Sequence, residues 1–213
     1  MHSEKLSEGI VRYNNIIANP KSIVNFIEMV KTDETSPISG WNTWKTSGDD
    51  SYIFGKQKKE NIDCKKELAS YYNESMSVLS YVKEAITNAS NDYKNQNKIN
   101  DIGLLAPISF SKYDIGAEMG LHTDSDPRGE DGYKENNSIY MPTISVLLYL
   151  NDNYQGGELY FKEFNLTVKP LAGSIVIFPS LPPYYHASLP LISGVKYISP
   201  GFWNIKNPYI KNL

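Results

Sequence analysis

The sequence predicts a mainly β protein of the α+β class: an antiparallel sandwich or barrel flanked by helices. Three observations lead there. Helical periodicity is confined to the part of the chain before Asn100. Beyond it, short runs rich in Val, Ile, Leu, Tyr and Phe alternate with turn residues. No helical pattern separates those runs, which excludes a parallel sheet built from βαβ units. With 213 residues, 40% of them hydrophobic, the length suits one domain with a sizeable core. Residues 1–100 read as helical support, and residues 101–213 as the β core.

Taken in order, residues 10–17 (IVRYNNII) read as a strand, rich in β-branched and aromatic residues. Asn19-Pro20 supplies an N-cap and a proline at the first helical position. The helix it opens reaches about Thr32, with Ile23, Phe26, Ile27 and Val30 on its apolar face. Residues 33–62 are polar and broken by Pro37, Gly40, Gly48 and Gly55, with Trp41 and Trp44 as anchors of short strands. Residues 64–90 carry the clearest helix, because Leu68, Tyr72, Leu79, Val82 and Ile86 recur on one face. Strands are expected at 104–112, 118–124, 142–151, 157–162, 164–169, 172–179 and 195–203. Alternation divides the third of these. Ile144, Val146, Leu148 and Leu150 form a packing face towards the helices, whereas Thr143, Ser145, Leu147 and Tyr149 suit the lining of a pocket.

Composition narrows the function classes. Lys and Arg total 21 against 24 Asp and Glu, a formal net charge of −3, so no basic footprint points to nucleic acid. The single Cys64 excludes a disulfide framework and a thiolate zinc cluster. The first residues, MHSEKLSEGI, lack the apolar stretch of a signal peptide, and no apolar run is long enough for a bilayer. The expectation is a cytoplasmic protein with no membrane partner; oligomeric state is not legible. Histidine is scarce, with only His2, His122 and His186, and His2 is set aside at a terminus expected to fray. Arginine is scarcer still, with Arg12 and Arg128 alone.

His122-Thr123-Asp124 places an imidazole and a carboxylate two residues apart, so in extended chain they project to the same side. With His186 they make up the two imidazoles and one carboxylate of a facial non-haem Fe(II) site. H-x-D alone recurs by chance, and zinc suits the same donors. Lys196 follows ten residues after His186 on a strand expected to run back beside it, and a buried lysine calls for an anion. Tyr149, on the pocket face, offers a phenol to the same anion.

The order Tyr113-Asp-Ile-Gly116, His122-x-Asp124, T-I-S-V-L-L-Y-L-N-D (143–152), Gly156-Gly157-Glu158-Leu159, P-x-A-G (170–173), His186, Pro190, Gly194, Lys196-Tyr197 and Trp203 resembles prolyl-4-hydroxylase-type 2-oxoglutarate/Fe(II) dioxygenases over residues 104–203. The resemblance implies a double-stranded β-helix (jelly roll) with N-terminal helices packed on one sheet. It implies Fe(II) on His122, Asp124 and His186, with 2-oxoglutarate as cosubstrate and Lys196 on its distal carboxylate. Tyr149 matches a tyrosine that helps hold the cosubstrate, and Tyr113 a pocket tyrosine near it. It further implies O2 as oxidant, ascorbate as an accessory reductant, and hydroxylation of an unactivated C–H, with peptidyl proline the favoured substrate. Residues 125–141, including Arg128 and Tyr133, form a long polar insertion expected to act as a substrate-covering lid, and 45–62 a second flap.

Other classes are weighed beside this one. A free amino acid, a small metabolite or a nucleic-acid base could be the substrate on the same scaffold. The last is disfavoured by net charge and the shortage of arginine. A cupin-like metal enzyme without 2-oxoglutarate gives no reason for Lys196 and Tyr149, and a non-catalytic metal-binding β-sandwich gives none for an intact ligand set.

Overall fold

The structure, a computed structural model, describes residues 2–32, 42–43, 60–63, 72–125 and 140–206. It opens with a hairpin, β1 (His2–Ser7) and β2 (Ile10–Asn14), followed by helix α1 (Pro20–Thr32). Two short strands, β3 (Asn42–Thr43) and β4 (Glu60–Asp63), precede the long helix α2 (Tyr72–Gln96). The remaining strands are β5 (Leu104–Leu105), β6 (Ser109–Tyr113), β7 (Met119–His122), β8 (Tyr140–Tyr149), β9 (Gln155–Gly156), β10 (Leu159–Phe161), β11 (Leu166–Val168), β12 (Ile175–Pro179), β13 (His186–Ser188), β14 (Leu191–Ser193) and β15 (Lys196–Lys206).

Local chemistry accounts for the helices. Asn19 caps α1, its Oδ1 accepting from Ser22 N at 3.3 Å, and Pro20 sits first in the helix. Ile23, Ile27 and Val30 bury the stripe expected of that spacing. In α2, Val82, Ile86, Ala89 and Tyr93 are all buried at three- and four-residue steps, and the helix runs past its expected end at residue 90. The early part of that prediction, residues 64–71 with Cys64 and Leu68, lies outside the described residues, as do Trp41 and Trp44.

The main sheet runs β1-β2-β12-β8-β15-β6-β4-β3, with β5 also paired to β15; a smaller sheet runs β11-β10-β13-β7, and β14 pairs β9. All of these pairings are antiparallel. This is the jelly roll expected, with the helices on the outer face of the large sheet. Period-two alternation makes the large sheet two-sided. Val11, Ile144, Val146, Leu148, Ile175, Ile177 and Trp203 pack with α1 and α2. Ile10, Tyr149, Val176, Phe178 and Ile198 face inward, towards Leu159, Phe161 and Val168 of the small sheet. The division of β8 into helix face and pocket face therefore holds. Side chains rivet the outer layer: Trp203 Nε1 donates to Ser90 Oγ at 2.9 Å, and Tyr197 Oη to Glu28 Oε1 at 2.7 Å.

Three expectations change. The N-terminus does not fray: His2 to Ser7 pair with β2, and β2 pairs with β12, so the first segment belongs to the large sheet. The expected strand 104–112 is two strands, β5 and β6, separated by Ala106, Pro107 and Ile108. Lys196 does not run back beside His186. Its strand, β15, lies in the large sheet between β8 and β6, and β13 lies in the facing one. The turn at Ser193 and Gly194 sends the chain across the sandwich rather than back along one sheet. Gly194 sits there at φ +82°, a left-handed conformation open to glycine.

Candidate active site

The two imidazoles converge because of strand register. His186 pairs directly with His122 across β13 and β7, so both side chains leave the same face of the small sheet. Their ring centroids are 4.4 Å apart. Each ring is fixed through its far nitrogen: His122 Nδ1 lies 2.8 Å from Gly120 O and His186 Nδ1 3.1 Å from Tyr184 O. With each Nδ1 held by a carbonyl, both Nε2 atoms face the pocket, the arrangement typical of metal-binding histidines. Phe161 and Phe178 wall His186, with ring centroids 5.8 and 4.7 Å away.

Asp124 lies just past the end of β7 and completes the group. Its Oδ1 is 3.4 Å from His122 Nε2, and its Oδ2 3.5 Å from His186 Nε2. One ligand atom from each residue lies within 4.8 Å of the others. The carboxylate is also held from the facing sheet. Ser145 Oγ on β8 donates to Asp124 Oδ2 at 2.5 Å and shares a 2.8 Å hydrogen bond with Ser180 Oγ. Burial alone pushes the Asp124 carboxyl up, but charge on His186, hydrogen bonding and charge from His122, and the Ser145 hydroxyl outweigh it. The group is held well below the usual carboxylate range, and so stays ionised as a ligand must. Two imidazoles and a carboxylate suit Fe(II) and zinc alike.

A second group of buried side chains adjoins the first. Lys196, at the start of β15, is 2% exposed, and its Nζ donates to Gly157 O at 2.6 Å and Ser188 Oγ at 2.7 Å. The ammonium lies 4.8 Å from the centre of the Tyr113 ring and 5.9 Å from that of Tyr149. Gly157 has φ +67°, and a Cβ there would stand 3.2 Å from Lys196 Cδ, so this backbone can cradle the lysine only as glycine. Burial raises the Tyr149 phenol, which remains a protonated donor. Its hydroxyl is buried with no hydrogen-bond partner among the described residues. An orphaned buried donor costs about 1–3 kcal/mol, so the pocket is built for an acceptor. The Tyr113 phenol is raised by burial and then by Tyr149 and Asp124, and its ring lies 4.8 Å from the Lys196 ammonium. An acidic ligand with a second chelating end would meet both groups.

Residues 108–204 match the family profile described as the 2OG-Fe(II) oxygenase superfamily. Over those residues the chain is similar to that superfamily. A PKHD-type hydroxylase from Cupriavidus metallidurans is 33% identical over 101 residues, 46% of this chain and 42% of the relative. The chain thus matches about two fifths of the length of such curated relatives. Among solved structures, the viral collagen prolyl hydroxylase of Paramecium Bursaria Chlorella virus-1, in its 2OG complex, superposes with a TM-score of 0.61 at 15% identity, over 93% of this chain and 97% of that one. A Trichoplax adhaerens prolyl hydroxylase, in complex with a hypoxia inducible factor peptide fragment, gives 0.66 at 16% identity, over 92% of this chain and 84% of that one. These likenesses extend the shared fold over the N-terminal segment as well.

Six of the residues singled out from sequence fall in two adjoining groups: His122, Asp124 and His186, and then Lys196, Tyr149 and Tyr113. Arg128 and Tyr133 lie outside the described residues, as does the rest of 126–139; of the second flap, residues 45–59 do too, while β4 is a strand of the large sheet paired with β6. Sequence reasoning placed Ser145 on the pocket face without giving it a role, and missed Ser180 and Ser188. Two of the three carried a signal. Ser145 is a small polar residue on a pocket face, and Ser188 lies two residues after His186, on the same side of a strand.

Proposed function

We propose that this chain is an Fe(II)- and 2-oxoglutarate-dependent hydroxylase acting on prolyl residues of a peptide or protein. One observation carries the reading. The ligand cluster and the buried Lys196 are joined by a single short strand, with His186 at its start and Ser188, bonded to Lys196, at its end. A zinc site alone would leave the Lys196 and Tyr149 pocket without a purpose.

In this reading His122, Asp124 and His186 hold the iron, and Lys196 with the Tyr149 hydroxyl holds the distal carboxylate of 2-oxoglutarate, with Tyr113 beside it. When bound, iron and cosubstrate supply dioxygen activation: 2-oxoglutarate loses carbon dioxide, one oxygen atom enters succinate and the other enters a substrate C–H. The protein's own share is positioning and exclusion. Gly120 O and Tyr184 O orient the imidazoles, Ser145 fixes the carboxylate, and Phe161 and Phe178 keep water from His186. Lys196 supplies charge where little water competes, which strengthens its hold on an anion. The net charge of −3 favours a peptide over a polynucleotide. The peptide complex of the Trichoplax hydroxylase supports the same substrate class.

The test is turnover of Fe(II)-loaded protein with 2-oxoglutarate, ascorbate and a panel of proline-containing peptides beside free proline. Succinate release coupled to a peptide one oxygen atom heavier is expected. Succinate release with oxidation of free proline alone would overturn the peptide substrate, and no iron-dependent use of 2-oxoglutarate would overturn the whole reading.

A further inference from the structure

We propose that Tyr154 is a second phenol donor to the distal carboxylate of the cosubstrate, and that it helps the site choose a dicarboxylate over a monocarboxylate 2-oxo acid; this rests on the 2-oxoglutarate reading above. Tyr154 lies in the turn between β8 and β9, and its side chain packs on the inter-sheet cluster that contains Tyr113, Tyr149 and Leu191. A Cβ added to Gly157 would meet Lys196 Cδ at 3.2 Å and Tyr154 Cε2 at 3.6 Å. The tyrosine ring and the lysine stem therefore flank one missing methyl group. A Cβ on Gly194 would come within 3.0 Å of Tyr154 Cβ, so the residue is gripped at its base as well.

The hydroxyl is what points to a ligand. Tyr154 Oη, like Tyr149 Oη, is buried with no hydrogen-bond partner among the described residues. Burial, the Tyr149 phenol, the Asp152 and Glu158 carboxylates and the Tyr113 phenol together raise its pKa, so it keeps its proton and can only gain by donating it to an acceptor. The Tyr113 and Tyr149 rings lie 4.8 and 5.9 Å from the Lys196 ammonium, and the Tyr154 ring packs in the same cluster beside the lysine stem. A carboxylate has lone pairs for Lys196 and for more than one phenol at once, whereas the methyl end of a monoacid would leave the buried Tyr149 and Tyr154 hydroxyls without an acceptor.

Calorimetric titration of protein loaded with Mn(II) in place of iron tests this without turnover, using 2-oxoglutarate and 2-oxopentanoate, its five-carbon analogue without the distal carboxylate. Tyr154→Phe keeps the ring and its packing. It is expected to weaken 2-oxoglutarate by about tenfold to a hundredfold, the range for a hydrogen bond to a charged group, and to leave 2-oxopentanoate unchanged. Equal losses for both acids, or no loss for either, would overturn the role of Tyr154 while wild-type binding of 2-oxoglutarate kept the underlying reading intact. Failure of wild-type protein to bind 2-oxoglutarate would overturn that reading and this inference with it.

Discussion

Asp124 is the residue on which both sheets meet. Its backbone belongs with β7, and Ser125 N beside it donates to Ser180 O at 2.9 Å. Its side chain is met by two imidazoles from one sheet and by the Ser145 hydroxyl from the other. A carboxylate with free rotation would pay an ordering cost on binding a metal; Ser145 removes most of it beforehand. Ser145→Ala is therefore expected to lower metal affinity by roughly 10–100-fold, the usual effect of losing a hydrogen bond behind a ligand. Mn(II) titration of the variant checks this, and an unchanged affinity would show that the imidazoles alone orient Asp124.

At the scale of elements, the strands do two jobs at once. One face of β8 and β15 packs the helices and the other furnishes Ser145, Tyr149 and Lys196, so the outer layer holds the inner groups in register. Helix α2 seats closely on that sheet at Gly201, where an added Cβ would lie 3.6 Å from Ile86 Cδ1. Ile86 is fully buried. Ile86→Ala is expected to cost about 2–5 kcal/mol of stability through the cavity it leaves. Urea unfolding measures that loss. Because Ile86 lies on the far side of the sheet from His122 and His186, metal affinity at low denaturant should hardly change; a parallel loss of both would mean that α2 positions the site directly.

For the whole molecule, the site clamps one sheet to the other, and anything bound there stabilises only the folded chain. Metal at a hundredfold excess over its dissociation constant adds about 2.7 kcal/mol, which for a chain of this size raises the melting temperature by roughly 5–10 °C. A thermal melt with and without Mn(II) is expected to display this rise, and a chelator to abolish it. Asp124→Ala should melt at one temperature in both conditions. A full shift in that variant would place the metal elsewhere. Among the described residues, no helix is long and apolar enough to cross a membrane.

Much of this is legible in the sequence. The two-sidedness of β8 was open to reading because side chains alternate along any strand, whatever surrounds it. The donor types followed from chemistry, since besides His2 only His122 and His186 offer an imidazole, and H-x-D sets Asp124 beside one of them. Other features were hidden. The pairing of β1 with β2 was missed because a polar edge strand lacks the apolar run that marks a buried one; His2, Ser3, Glu4 and Lys5 look like a loose end until a partner backbone is beside them. The placing of Lys196 across the sandwich from His186 could not be read either, because the strand that begins there pairs with β6 and β8, both distant in sequence. By itself, then, the sequence determined the fold class, and it named the candidate metal donors and the basic residue that the fold brings together; these rest on local periodicity and side-chain chemistry. Only the tertiary structure decided that the Ser145 hydroxyl meets Asp124, that Ser188 links the ligand strand to Lys196, and that Tyr154 joins the same pocket. Such meetings are set by register between strands distant in sequence and by the gap between two sheets, and no local pattern encodes those distances.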